Sequence, residues 1–505
     1  MSTRPGCTRP RRGGLLVAGT ASDAGKSFIV AGLCRLLARR GVRVAPFKAQ
    51  NMSLNAVATV DGSEIGHAQW LQALAAGVEA EAAMNPILLK PTTERSSQVV
   101  VRGVPIGVWS AAEYQQAKAG LLPQVLDTLA DLRRRYDVVL CEGAGSPAEI
   151  NLLDGDIVNL RLAVAADLPA IVVGDIDRGG VFAALYGTVA LLPDELRRAV
   201  GGFVINKFRG DPSLLGSACA DIERRTGVPT LGVVPVVAGA DMDAEDSLAL
   251  DGWSTDPPTS VLDVAVVRFP HIANFGDLDP LRLEPGVSVR FVGRRAELGR
   301  PDLVVLPGSK ATRADLAWFR AGGLADAVEA SGAPIVAICA GVQMAGASIE
   351  DRLGAEGSPG TVAGLGWLPV TTRFEADKVL DRPVATAVSE PAEGARVDGY
   401  RIHHGRVGGT PAGHPWLRDA DGVAIGWRQD RVVGTTLHGL FEADEFRAGV
   451  LRWAAALGGR PDPMTGPPLG FRAARLARLD RIADALEDSI DLDALFALIE
   501  LGAPR

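Results

Sequence analysis

The chain has 505 residues, with 52 Lys and Arg against 60 Asp and Glu, a formal charge of -8, and 47% hydrophobic, 5% aromatic and 22% charged residues. That is a globular composition of about three domain lengths, which excludes a disordered chain and a single small module. The mild acidity excludes a general nucleic-acid binder with a basic stripe, so any anionic small molecule must be met by specific Lys and Arg residues.

Short apolar, β-branched runs at Gly14–Ala18, Tyr136–Cys141, Ala170–Val173, Gly202–Ile205 and Leu231–Val234 alternate with Gly-rich turns and longer Ala/Leu-rich stretches. Such alternation predicts parallel strands with helical crossovers, covered on both faces, forming a doubly wound first domain over residues 1–250. A Gly-, Asp- and Pro-rich stretch from Ser247 to Ser260 reads as a linker. The strand series restarts at Leu262–Val267, Ser288–Val292, Leu303–Leu306 and Ile335–Ile338. It becomes sheet-rich from about Thr361 and ends in Val432–Leu437, giving a second α/β domain over 260–455. Residues 456–505 read as a Pro/Gly-rich linker followed by an amphipathic helical tail from Phe471 to Leu501.

Gly19-Thr20-Ala21-Ser22-Asp23-Ala24-Gly25-Lys26-Ser27 follows a strand and opens a helix, the context a phosphate loop requires. Backbone N–H groups at the helix start face phosphate oxygens, Lys26 reaches the outer phosphates, and Ser27 holds Mg²⁺. Thr20 stands where the first Gly of the usual form should be. Because the apolar run Leu15–Gly19 leads straight into this loop, it reads as a strand and not as a secretory signal. No apolar run reaches the ~18 residues of a membrane span, so the expectation is a cytoplasmic chain without a membrane partner. Glu142 closes a buried strand in Cys141-Glu142-Gly143-Ala144-Gly145, at the ligand edge of such a sheet, and is the second Mg²⁺ candidate. Three polar stretches lie where strands should end, and their density of amide and charged groups suits a substrate with many carboxylates or carboxamides. They contribute the substrate-binding candidates Lys48, Gln50, Asn51 and Asn55, then Lys90, then Asp177 and Arg178.

Cys7, Cys34, Cys141, Cys219 and Cys339 are scattered without metal spacing, as for thiols in a reducing cytosol. Cys339 differs from the rest: the strand Ile335–Ile338 breaks at it, and Ala340-Gly341 lead into a helix. A strand-to-helix turn of that kind exposes the sulfur and aims helix N–H groups at it, which favours a thiolate nucleophile. A thiolate needs a base, and His438, beside Gly439, leads over His403 and His404.

The phosphate loop, Glu142-Gly143-Ala144-Gly145 and Asn206-Lys207 resemble dethiobiotin synthetase and its carboxylate-activating relatives, in which the Asn reads the nucleotide base. Leu306-Pro307-Gly308-Ser309-Lys310, Cys339 and His438 resemble class I glutamine amidotransferases. There the Cys attacks the glutamine amide and the backbone at Gly308 and Ala340 forms an oxyanion hole; Gln343 falls in the glutamine pocket. That class carries Glu two residues after the His, where this chain has Leu440. The cobyric and cobyrinic acid branch lacks the same Glu. Further strings, Pro46–Asn55, Glu142–Asn151, Asp177–Phe182, Asn206–Asp211 and Pro270–Phe275, complete a resemblance to the cobyric acid synthase family across almost the whole chain. Ala340 and Arg401 depart from that family's usual Gly and Glu. The resemblance implies amidation of the b, d, e and g carboxylates of adenosylcobyrinic acid a,c-diamide, using ATP, Mg²⁺ and glutamine as ammonia donor, with a corrinoid as partner and no nucleic acid. Free ammonia is mostly protonated near neutral pH, which gives a reason to fuse the two chemistries and pass it internally. The rival readings are a cobyrinic acid a,c-diamide synthase and a nucleotide-switch ATPase with a non-catalytic second domain.

Overall fold

The computed structural model describes residues 9–10, 12–93, 95–240, 242, 260–409, 414–464, 466 and 470–501. The chain divides into two compact units, each discontinuous in sequence. One comprises Met1–Met52, Ile65–Met242 and Arg475–Arg505; the other comprises Ser53–Glu64 and Asp243–Ala474. Both departures from the expected boundaries are informative. The helical tail belongs to the first unit, and a short piece of the first domain's sequence belongs to the second. The expected linker at Ser247 to Ser260 lies almost wholly outside the described residues.

The first unit is built on a six-stranded parallel sheet. Its strands run across in the order Thr230–Pro235, Val200–Phe208, Ala170–Asp175, Gly13–Gly19, Val138–Glu142, Val44–Phe47. Gly13–Gly19 is central, with later strands added on both sides, so the crevice at its carboxyl end is the switch point where ligands of such folds bind. Helix Lys26–Arg39 starts there. Its cap Gly25 has φ 101°, and a Cβ on it would lie 2.0 Å from the Asn206 amide nitrogen, so only glycine fits.

A second sheet of this unit joins Gln50–Met52, Ile87–Thr93, Ser96–Val101 and Val104–Ser110. Its strands mix apolar runs such as Ile87–Leu89 and Val99–Val101 with Ser, Thr, Gln and Lys, unlike the near-continuous apolar strands of the main sheet.

The tail forms two helices, Phe471–Ser489 and Leu492–Leu501. Leu479, Ile482, Leu486, Leu495, Phe496 and Ile499 enter the same core as Leu15, Val17, Ile29 and Leu36. Leu486 lies so close to Gly32 that a Cβ there would be 2.5 Å from its methyl group, and the Ile499 carbonyl oxygen would be 1.8 Å from a Cβ on Gly13. Arg35 adds an ion pair to Asp480 at 2.8 Å. The apolar face that sequence shows as an amphipathic tail is therefore the cover over one side of the nucleotide sheet. Leu486→Ala is expected to cost about 3 kcal/mol through the cavity it leaves, lowering the thermal midpoint of this unit by roughly 6–12 °C in calorimetry.

The second unit has a nine-stranded sheet. Five strands are parallel, in the order Val287–Val292, Leu262–Val267, Leu303–Leu306, Ile335–Ile338, Val432–Thr435. Four antiparallel strands follow, Ala424–Gln429, His414–Asp419, Val384–Ala387 and Arg396–Asp398. A four-stranded sheet of Gly360–Ala363, Ser348–Asp351, Val370–Asp381 and Arg401–Gly409 completes it. Apart from the edge strand Val287–Val292, the parallel strands are almost wholly buried and aliphatic, and the carboxyl ends of the sheet deliver Pro307-Gly308, Cys339 and His438 to one edge. Among the described residues no helix is long and apolar enough to cross a membrane.

Candidate functional site

In the first unit the phosphate loop and Glu142 meet. Ser27 Oγ donates to Glu142 Oε1 at 2.9 Å, and Lys48 Nζ donates to the same oxygen at 2.8 Å. Gln72 Nε2 donates to the other carboxylate oxygen. Glu142 is 1% exposed, so two hydrogen bonds and a cation stabilise a charge that burial alone would penalise. Lys26 Nζ donates to Ala21 O, Ser22 O and Gly145 O at 2.8, 3.0 and 3.1 Å, which lays the ammonium across the loop. The Thr20 N–H is bonded to Val173 O, and Asn206 donates to Ala24 O at 3.0 Å, so this Asn braces the loop from below.

A cavity of about 550 Å³ opens beside Gly145, walled by Gln50, Met52, Leu89, Trp109, Tyr114 and Lys118 among others. Gln50 accepts a hydrogen bond from the Tyr114 hydroxyl at 2.6 Å. Of the expected substrate residues only Gln50 lines this cavity. Lys48 is committed to Glu142. Asn51 donates to Gln69 at 3.0 Å, and Lys90 is buried. Asp177 pairs with Arg209 and Arg178 with Asp23, both on the surface. Asn55 falls in the other unit altogether.

In the second unit Cys339 has φ 54° and ψ -108°, a strained conformation for a residue with a side chain, on the turn between Ile335–Ile338 and helix Ala340–Ala345. Gly341 cannot be anything larger, since a Cβ would lie 2.1 Å from Leu306 O. Cys339 lies close enough to the His438 ring to act on its charge. The ring nitrogen His438 Nδ1 is bonded to Asp277 Oδ2 at 2.7 Å, and Asp277 Oδ1 accepts from the Gly439 N–H at 2.8 Å. Burial favours the neutral ring, but the charges of Asp277 and Cys339 outweigh it and raise the His438 pKa to about 10. Tyr400 stacks on the imidazole with ring centroids 5.1 Å apart. Gly308 is adjacent, as a Cβ on it would stand 3.3 Å from His438 Cε1. Gln343 is 2% exposed and accepts from Thr312 at 3.3 Å. Arg401 is bonded to Asp381 at 2.8 Å.

His403 and His404, the rival bases, behave differently. Burial holds His403 neutral, with its pKa down to about 3, and its Nδ1 is bonded to Gly405 O; His404 is lowered to about 4, again chiefly by burial. Asp277 is the residue that sequence reading passes over. It follows the string Pro270–Phe275 by two positions and lies 161 residues from the His it orients.

Comparison with known proteins assigns both domains to families. Residues 15–248 match the family described as CobQ/CobB/MinD/ParA nucleotide binding domain, and 263–446 match the CobB/CobQ-like glutamine amidotransferase domain. The chain is thus an ATP-dependent, glutamine-hydrolysing amidotransferase, a ligase that joins a nucleotide-binding α/β domain to an amidotransferase α/β domain. It is 50% identical to the cobyric acid synthase of Rhodococcus jostii (strain RHA1) over 503 residues, 98% of this chain and 97% of that one. It is 51% identical over 505 residues to that of Streptomyces coelicolor (strain ATCC BAA-471 / A3(2) / M145), again 98% and 97%. The chain belongs to the cobyric acid synthase family.

Proposed function

We propose that this chain amidates the b, d, e and g side-chain carboxylates of adenosylcobyrinic acid a,c-diamide. In the first unit a substrate carboxylate attacks the terminal phosphorus of ATP and displaces ADP, giving an acyl phosphate. Lys26 offsets the charge that develops on the phosphoryl oxygens. Ammonia then adds to the acyl carbon, and phosphate leaves. The carboxylate needs this step because oxide is too poor a leaving group.

Ser27 and Glu142, 2.9 Å apart at the loop, are the residues that would hold a Mg²⁺ ion. When bound, the ion supplies positive charge to the phosphates. Glu142→Gln is expected to raise the Mg²⁺ concentration needed for half-maximal ATP turnover by roughly 10- to 100-fold, read by magnesium titration.

In the second unit the Cys339 thiolate attacks the side-chain amide carbon of glutamine, while N–H groups of Ala340 and Gly308 receive the developing oxyanion. The His438 imidazolium gives its proton to the departing nitrogen, releasing ammonia and a γ-glutamyl thioester. His438 then takes a proton from water, which attacks the thioester and frees glutamate. Asp277 keeps the ring in the tautomer and orientation both steps require. The observation that carries this reading is the His438 ring beside Cys339, with its Nδ1 bonded to Asp277 Oδ2 at 2.7 Å.

The deciding experiment is mass spectrometry of products from the a,c-diamide with ATP and glutamine. One amide gained for each of the b, d, e and g positions is expected. Turnover of cobyrinic acid alone, stopping at the a and c positions, would assign the neighbouring diamide synthase activity instead.

A further inference from the structure

Asn55 belongs by sequence to the polar string after Lys48, yet it is folded into the amidotransferase unit and is 2% exposed. Its Oδ1 accepts the Phe275 N–H at 3.2 Å. Phe275 is the first residue of the 3-10 helix Phe275–Leu283, so this N–H is one of the orphan donors at a helix start, and the capping oxygen comes from more than two hundred residues earlier in the chain. Asp277 is the third residue of that helix. The cap residue Asn274 is held as well: it has φ 55°, and its Nδ2 donates to Ala56 O at 3.0 Å and to the Tyr400 hydroxyl at 3.1 Å. Tyr400 in turn stacks on His438. Both supports of the imidazole, its carboxylate and its stacking partner, are thus tied to Asn55-Ala56.

We propose that Asn55 is a positioning residue for glutamine hydrolysis, acting through Phe275 to set Asp277 against His438. The inference rests on the reading of Cys339 and His438 given above. Loss of the cap leaves a buried N–H unsatisfied and lets the turn carrying Asp277 relax. The imidazolium then loses part of the charge that keeps it protonated.

The test uses the full chain. Asn55→Ala is expected to lower kcat for glutamine hydrolysis about 10- to 100-fold, with KM for glutamine and amidation driven by ammonium within roughly threefold of the parent. The alkaline limb of its pH profile moves to lower pH. In an Asp277→Asn background the same substitution costs less than about threefold, because the interaction it acts through is already gone. Asn55→Ser keeps a polar group but is too short to reach the Phe275 N–H; it gives the same split between nitrogen donors and decides the matter should Asn55→Ala fail to fold. Equal loss with both nitrogen donors in the folded variants, or full multiplicative loss in the Asp277→Asn background, overturns the proposal. Glutamine hydrolysis that survives in Cys339→Ala overturns the underlying reading instead.

Discussion

Cys339→Ala is expected to reduce glutamine-driven amidation by more than about 10⁴-fold while leaving ammonium-driven amidation near the parent rate. The asymmetry follows from the chemistry. Without the sulfur no thioester forms, and the hydrogen-bonded His438 and the strand-end N–H groups have nothing to act on. Activation of the carboxylate depends on Lys26 and the loop in the other unit and needs only a nitrogen nucleophile. Product counting with each donor, at a pH where some ammonia is unprotonated, checks both halves. Cys34 and Cys141 serve as controls: both are buried, burial pushes their thiols up, the latter to about 12, and neither competes as nucleophile.

Asp277→Asn carries the second large effect. The asparagine keeps the shape and can keep a hydrogen bond, but it presents the wrong partner for the ring tautomer and removes the negative charge. Glutamine hydrolysis is expected to fall about 10²- to 10⁴-fold. The pH dependence has a definite sign. In the parent the imidazolium is held protonated to about 10, so the alkaline limb, where it can no longer protonate the leaving nitrogen, lies high. Removing the carboxylate lets burial dominate and moves that limb to lower pH, so the relative defect widens as the medium becomes more basic. A kcat/KM profile for glutamine measures it.

Most parallel strands of both units are legible in the sequence as short aliphatic runs that end in Gly or a turn, and Leu262–Val267, Leu303–Leu306 and Ile335–Ile338 have the bounds that pattern gives, whereas the edge strand Val44–Phe47, interrupted by Pro46, escapes it. Cys339 and His438 stand out for the same reason: each follows such a run and has small neighbours. Asp277 has no such signature. It sits in an irregular helix containing Pro280, and its role exists only through a contact between segments distant in sequence. The substrate residues were harder still. Polar strings near strand ends look alike whether they face a ligand, as Gln50 does toward the cavity, or satisfy one another, as Lys48 does with Glu142 and Asn51 with Gln69. The amphipathic period of the last helices shows that they bury a face, but not whose core receives it. Pairing choices of this kind are decided by long-range packing, which a local pattern does not encode.

The position of those last helices bears on how the protein is made. A ribosome delivers the nucleotide sheet early, yet the residues that close its apolar flank emerge only with Leu479 to Ile499, after the whole intervening amidotransferase sequence. Vectorial synthesis therefore leaves the first unit waiting, partly uncovered, while the inserted one completes itself. A nascent chain stalled before residue 475 should accordingly be protease-sensitive in its earlier half and resistant in its later one.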